Sequence, residues 1–192
     1  MKKIIGGIIG LMLTISIGVG TAYATFSTTG AVSGISIVAG NAGLGISTNG
    51  SSYYPDYGFQ GSFFDKLYPG VNTFGPQFLI KNISTANVSL NLFAQLKDGD
   101  VTEYPAGSWA ALKDQVKIGF DYYNGTDWIT AGTATLAQWN SIGYSLEGGN
   151  LAQNGQRWYR IHVTIDPSVD NSIANKGLTN VKFTFTGTQP QP

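Results

Sequence analysis

In the segment Val88-Ser89-Leu90-Asn91-Leu92-Phe93-Ala94-Gln95-Leu96, every second residue is apolar. Successive side chains of a β-strand point to opposite faces of its sheet, so this period of two gathers the apolar residues on one face. The inward set is Val88, Leu90, Leu92, Ala94 and Leu96, and Ser89, Asn91 and Gln95 face outward. The segment is therefore predicted to be a half-buried strand.

Three later segments repeat this pattern. Their inward sets are Val116, Ile118, Phe120 and Tyr122, then Tyr159, Ile161, Val163 and Ile165, and finally Val181, Phe183 and Phe185. Residues that favour turns separate the runs, at 82–87, Asn124-Gly125, Gly148-Gly149-Asn150 and Asn154-Gly155. Many half-buried strands with few helices indicate an all-β fold, and we predict a jelly-roll-like β-sandwich with one or two short helices.

The remaining segments add little regular structure. A short helix is predicted at residues 135–140, where Leu136 and Trp139 share a face at i,i+3 spacing. Residues 40–61 are rich in Gly, Ser and Tyr and are predicted to form a long surface excursion. Because no internal repeat or linker divides the chain, residues 35–192 are predicted to form a single domain.

Residues 1–24 have the features of an export signal. Lys2 and Lys3 precede an uncharged apolar segment, and Ala22 and Ala24 occupy the small-residue positions that a signal peptidase reads. We therefore expect cleavage before Thr25. A type IV pilin, cleaved at Lys3-Ile4, is the alternative, but the glycines of the apolar segment would weaken its helix by up to about 1 kcal/mol each.

Composition narrows the classes of function. Without Lys2 and Lys3, nine basic residues remain against eleven acidic ones, a net charge of −2. So weak a charge gives no reason to expect binding to nucleic acid. The chain contains no Cys, which excludes a lipoprotein anchor, disulfides and thiolate metal sites. After the signal, no apolar run approaches the ~20 residues of a membrane helix, so the mature protein is not expected to be embedded in a membrane.

Residues for catalysis are scarce. His162 is the only histidine; it is predicted to point outward from its strand, with no carboxylate near it in the sequence before Asp166. The pair in Asp98-Gly99-Asp100 offers oxygen ligands to calcium, but Asp-Gly between strands is ordinary turn chemistry. The same objection applies to Asp121 and Asp127. We therefore expect no enzymatic activity, no metal site and no cofactor.

Two surface features bear on glycans. The aromatic residues Tyr53, Tyr54, Tyr57, Phe59, Phe63, Phe64 and Tyr68 cluster in one segment. Exposed aromatic residues on a β-sandwich can bind sugars. We prefer the interpretation that aromatic residues of this segment close the open end of the sandwich. Asn-x-Ser/Thr sequons occur at Asn49, Asn82, Asn87 and Asn124, all in predicted turns or strand ends that a glycan could reach.

The chain resembles a known family at several short motifs. The junction Gly20-Thr21-Ala22-Tyr23-Ala24-Thr25-Phe26-Ser27 resembles the signal and start of the TasA/camelysin family of secreted biofilm-matrix fibre proteins, to which archaeal bundling pilins are related. Further similar motifs are Ala39-Gly40 before Leu44-Gly45-Ile46, Tyr68-Pro69-Gly70, Phe78-Leu79-Ile80-Lys81-Asn82 with the turn after it, and the ending Phe183 to Gln189. Thr28 and Val71 stand where the family usually has an acidic residue.

The resemblance implies donor-strand complementation. In this mechanism residues 25–34 of one subunit enter the sheet of the next as a missing strand, forming main-chain bonds and placing alternate side chains in pockets. One face of the inserted strand is expected to carry Phe26, Thr28, Gly30, Val32 and Gly34, with Phe26 and Val32 as anchors. Thr25 begins the donor strand and lies on its other face. The implied function is a structural subunit of an extracellular filament, a bundling pilus or biofilm-matrix fibre. A secreted monomeric glycan-binding module is the alternative.

We predict that the secreted protein begins at Thr25 or within two residues of it, because Ala22 and Ala24 fit the positions read by the peptidase. The intact mass of the secreted protein tests this. A species that begins at Ile4 would instead assign the chain to the type IV pilins.

Overall fold

The computed structural model describes residues 42–57, 67–97 and 101–190, together with the backbone of residues 27–32. The predicted export signal and Thr25, Phe26, Gly34, Asp98 and Asp100 lie outside the described residues. Within the described part, no helix is long and apolar enough to cross a bilayer.

Two five-stranded sheets form a β-sandwich, which confirms the predicted all-β, jelly-roll-like class. The first, here called the β12 sheet, has the spatial order β3 (Asp56–Tyr57), β1 (Ser27–Val32), β12 (Phe183–Thr188), β5 (Leu90–Leu96) and β9 (Tyr144–Leu151). The second, the β10 sheet, has the order β2 (Leu44–Ser47), β4 (Thr73–Asn82), β10 (Gln156–Ile165), β7 (Val116–Tyr123) and β8 (Trp128–Thr135). All these pairings are antiparallel except that of β1 with β3.

Small elements complete the domain. β6 (Thr102–Tyr104) and β11 (Gly177–Thr179) pair as a two-stranded sheet. The helices are α1 (Ser108–Leu112) and α2 (Leu136–Ser141), and a 3₁₀ helix covers Asn171–Ile173.

The predicted apolar faces meet in the core. Leu90, Leu92, Ala94 and Leu96 of β5 are at most 1% exposed. The same buried cluster includes the predicted inward residues of β10, both phenylalanines of β12, and those of β7 except Tyr122, which is partly buried against it. Aromatic rings fill its centre. The Phe120 ring centroid lies 5.0 Å from that of Phe183 and 5.6 Å from that of Phe185, so β7 of one sheet packs directly on β12 of the other.

The predicted short helix is also confirmed. Thr135 caps α2 with a capping box: its hydroxyl accepts from the Gln138 amide, and the Gln138 side chain accepts from the Thr135 amide. Two otherwise unpaired N–H groups are thereby satisfied. The cap fixes the helix so that Trp139 is fully buried and its indole N–H donates to the Ile118 carbonyl at 2.8 Å.

Two expectations about loops are wrong. The supposed surface excursion at residues 40–61 contains β2, which pairs with β4 and is buried along its whole length. Gly148-Gly149-Asn150 is not a turn between strands but part of β9, where the ladder with β5 is irregular. Glycines mark a sharp backbone feature in both a turn and a bulge, so composition alone does not separate the two.

Replacing Tyr159 with Phe is expected to preserve or raise stability at pH 7, by up to about 1 kcal/mol, because the buried Tyr159 hydroxyl has no hydrogen-bond partner among the described residues. Burial also raises the pKa of this hydroxyl, an effect that the nearby Arg157 charge partly opposes. A tyrosine in the unfolded chain has a pKa of about 10. Because the pKa of Tyr159 is higher in the folded state, its ionisation does not affect the free energy of unfolding below that pH. Above that pH the free energy of unfolding falls progressively, since the unfolded chain loses its proton first.

Urea denaturation at pH 7 and in the alkaline range tests this, with the exposed Tyr123→Phe as control. Wild type should lose more stability than Tyr159→Phe on the alkaline side. A clear loss of stability in Tyr159→Phe at pH 7 would show that the hydroxyl is satisfied after all.

Candidate functional site

The N-terminal strand β1 pairs with β12 of its own chain. The register runs from Ser27 opposite Thr188 to Val32 opposite Phe183. Of the predicted donor residues, Gly30 and Val32 lie opposite the buried Phe185 and Phe183, and Thr28 lies opposite Gly187. This edge of β12 is the candidate assembly site.

Among the described strands, the other ladder that β1 forms is short. On its other side it pairs with β3 over two residues only, Ala31 with Asp56 and Val32 with Tyr57. On the far side of β12, β5 pairs over six residues, from Phe183 with Leu96 to Thr188 with Asn91. Removing β1 would therefore leave β12 firmly attached to the sandwich and expose one edge of its backbone.

The predicted aromatic cluster is only partly described. Tyr53 is occupied: its hydroxyl donates to Gln156 Oε1 at 2.7 Å, and Lys81 Nζ lies 5.0 Å from its ring centroid. Tyr54 and Tyr68 are exposed. Phe59, Phe63 and Phe64 lie outside the described residues, so the expectation of a sugar-binding row stays a prediction.

The sequons differ in accessibility. Asn49, Asn87 and Asn124 are exposed. Asn82 is fully buried, and its amide donates to the carbonyls of Val88 at 2.8 Å and Leu151 at 2.9 Å. The expectation that a glycan could reach all four is therefore wrong for Asn82 in the folded domain, because its amide nitrogen joins two loops instead.

His162 is not exposed, contrary to the expectation from strand alternation. It does lie on the outward face of the β10 sheet, but it is only 7% exposed. It lies over Gly119, where an added Cβ would be 2.2 Å from the imidazole. The ring of Phe74 also packs beside it, with centroids 6.1 Å apart. Because Gly119 has no side chain, the imidazole can lie over it, and the Phe74 ring covers the imidazole from the side. The outward-pointing histidine is therefore buried.

A carboxylate also lies next to His162, which sequence distance did not suggest. Asp121 Oδ1 is 3.0 Å from His162 Nδ1, a close contact without the alignment of a hydrogen bond. Asp121 is buried too; its Oδ2 lies 2.8 Å from Arg160 Nε, and its Oδ1 accepts from Thr130. The Arg160 guanidinium in turn lies over the ring of Phe74 at 4.1 Å and over that of Trp128 at 4.7 Å. These residues form what we call the outer-face cluster.

Thr133, His162 and Asp121 have the residue types of a catalytic triad, and Thr133 Oγ1 is 3.3 Å from His162 Nε2. Both Asp121 oxygens, however, are already engaged by Arg160 and Thr130, and the cation stacks on Phe74 and Trp128. These contacts favour a structural ion-pair network over a nucleophile assembly. Among the described residues, no group of three or more His, Cys, Asp or Glu side chains is placed to hold a metal ion.

Comparison of the chain with models of protein families, with curated proteins and with solved structures finds no match. The resemblance to the TasA/camelysin family therefore stays a prediction from the motifs.

Replacing His162 with Ala is expected to lower the free energy of unfolding by about 1–3 kcal/mol, because it removes a buried side chain that packs on Gly119 and contacts Asp121. Urea denaturation measures the change, with Thr164→Ala on the same face of β10 as the control. An unchanged midpoint in His162→Ala would show that the outer-face cluster does not stabilise the sheet.

Proposed function

We propose that this chain is a structural subunit of an extracellular filament, a bundling pilus or biofilm-matrix fibre, that polymerises head to tail by donor-strand complementation. In this role it supports cell–cell adhesion and biofilm formation. The observation that carries the proposal is the placement of β1: a strand at the start of the described chain completes the sandwich by pairing along the edge of β12.

The edge of β12 suits an incoming strand. Phe183 and Phe185 are buried in the core, so they hold the backbone of β12 in place whether or not β1 is beside it. A strand that pairs there gains a net ~0.5–1.5 kcal/mol per main-chain hydrogen bond. Alternate residues add side-chain contacts, and Phe26 and Val32 remain the proposed anchors.

Head-to-tail insertion would produce a filament rather than a closed oligomer. The surface that donates and the surface that accepts are different parts of the molecule, so each added subunit presents a fresh acceptor edge. A chain without disulfides would then gain stability from its neighbours.

The alternative, a secreted monomeric glycan-binding module, is favoured by one observation: β1 pairs here within its own chain. The same six rows of residues would form whether β1 came from the same chain or from a neighbour.

A disulfide can separate the two, because the chain contains no cysteine of its own. Ala31 lies opposite Thr184 in the β1–β12 register. In a double variant, Ala31→Cys with Thr184→Cys, donor-strand exchange should link successive subunits, and oxidised filaments should give a ladder of covalent multimers on a denaturing gel. Each single variant serves as a control.

Negative-stain microscopy of the same sample establishes that filaments are present. Filaments that yield only internally linked monomers would exclude β1 as the donor strand. Absence of filaments, with internally linked monomers, would favour the monomeric module.

A further inference from the structure

A groove of about 360 Å³ is lined by residues of β5, β9 and β10. The residues that line it include Asn91, Leu92, Ser145, Leu146, Asn150 and Arg157. It is separate from the β1 edge and from the outer-face cluster, and none of the roles considered above uses it.

The irregular part of β9 builds one wall. Leu92 alone lies opposite residues 146–149, because Asn91 pairs with Asn150 and Phe93 with Ser145. Gly148 adopts a φ of +68°, and a Cβ there would be 2.8 Å from the Tyr122 ring. A Cβ on Gly149 would be 2.7 Å from the Leu146 carbonyl. The two glycines thus allow the widened strand to pack tightly against its neighbours while leaving the groove beside it.

Arg157 is the unusual residue of this groove. It has the inward parity of Tyr159 and Ile161 on β10, where the other side chains are apolar. Its guanidinium carbon lies 5.3 Å from the Tyr122 ring centroid, and its Nε is buried without a hydrogen-bond partner among the described residues. No carboxylate of the described residues forms an ion pair with it, whereas Arg160 on the same strand is paired with Asp121.

Arg157 as a whole is half-buried, but its Nε is shielded from water and has no hydrogen-bond partner among the described residues, which is costly for a charged group. A planar carboxylate is the group that matches the fork of guanidinium donors. The other lining residues are uncharged. Asn150 Nδ2 donates to Asn91 Oδ1 at 2.7 Å, so Asn150 Oδ1 as an acceptor and Asn91 Nδ2 as a donor are the atoms of this pair that can bond to ligand hydroxyls. The hydroxyl of Ser145 can donate and accept, and the side chains of Leu92 and Leu146 supply an apolar floor.

We propose that this groove binds a sugar that carries a carboxylate, a uronic acid unit, with Arg157 holding the carboxylate and Asn91, Asn150 and Ser145 holding ring hydroxyls. A bare carboxylate would leave most of a 360 Å³ groove unused, whereas a monosaccharide matches both its size and its mixture of amide, hydroxyl and apolar groups. An acidic protein side chain would match Arg157 but not the polar rim. The proposal does not depend on filament formation, because every lining residue belongs to one subunit.

The test is a titration of the unassembled protein followed by ¹H–¹⁵N NMR. Glucuronate should shift the amides of Gly148, Gly149 and Asn150, and glucose should bind about tenfold more weakly or worse because it lacks the charge-assisted bond. Arg157→Gln should raise the Kd for glucuronate by about tenfold or more. Lys113→Gln is the control: it removes one positive charge at a position outside the groove, so the Kd for glucuronate should not change. Asn91→Ala with Asn150→Ala should weaken glucuronate while leaving acetate unaffected.

Stability supplies a second readout. Because Arg157 has no anionic partner among the described residues, Arg157→Gln should melt at the same or a higher temperature than the wild type, as expected for a residue kept for binding. Should Arg157→Gln fail to fold, Arg157→Lys keeps the charge but loses the fork, and a several-fold weaker Kd is expected.

Three results would each overturn the proposal: equal affinity for glucuronate in Arg157→Gln, equal affinity of wild type for glucose and glucuronate, or tighter binding of a glutamate-rich peptide than of glucuronate. The last would assign the groove to an acidic protein partner instead.

Discussion

The contact of Phe120 with the two phenylalanines of β12 is the interaction on which the remainder of the structure depends. The Phe120 ring contacts Phe183 and Phe185 of the opposite sheet, and it also contacts Phe78 of β4 and Trp139 of α2. Rings in edge-to-face contact at these distances stabilise beyond the area they bury. Because the strand that offers its edge to β1 is the same strand that carries two of these rings, the core itself keeps that edge straight and in register.

Period-two alternation was sufficient to predict the central strands. It identified the buried faces of β5, β7, β10 and β12, and the spacing of Leu136 and Trp139 identified α2. These predictions succeed because each depends on neighbours in sequence. The order of strands in a sheet does not depend on neighbours in sequence, and no pattern in the chain indicates that β7 lies between β10 and β8. Asp121 and His162 are therefore neighbours in space that sequence distance had separated.

The alternation of residues along a strand predicts the face to which a side chain points, but not how exposed that side chain is. Two residues of β10 show the difference. His162 points outward, yet Gly119, Phe74 and Thr133 of neighbouring strands leave it buried. Arg157 has inward parity, a signal that could have been read by extending the alternation of Tyr159 and Ile161 back by two residues. A charged residue at such a position is either paired or functional. The register of β7 provides Asp121 on the outer face, where it pairs with Arg160, and no described carboxylate pairs with Arg157 on the inner face.

In the proposed mechanism, the edge of β12 that β1 occupies within its own chain would also accept β1 of a neighbour, and the two states would form the same main-chain rows. Their free energies of pairing should therefore be similar, and the choice depends on how the strand is delivered. Nine residues connect Val32 to Ala42, a maximum reach of about 30 Å, which is comparable to the dimension of a small domain. Delivery from the same chain corresponds to an effective concentration of about the millimolar range for a short flexible connection. A neighbour must therefore offer either a high local concentration or contacts that the closed monomer lacks.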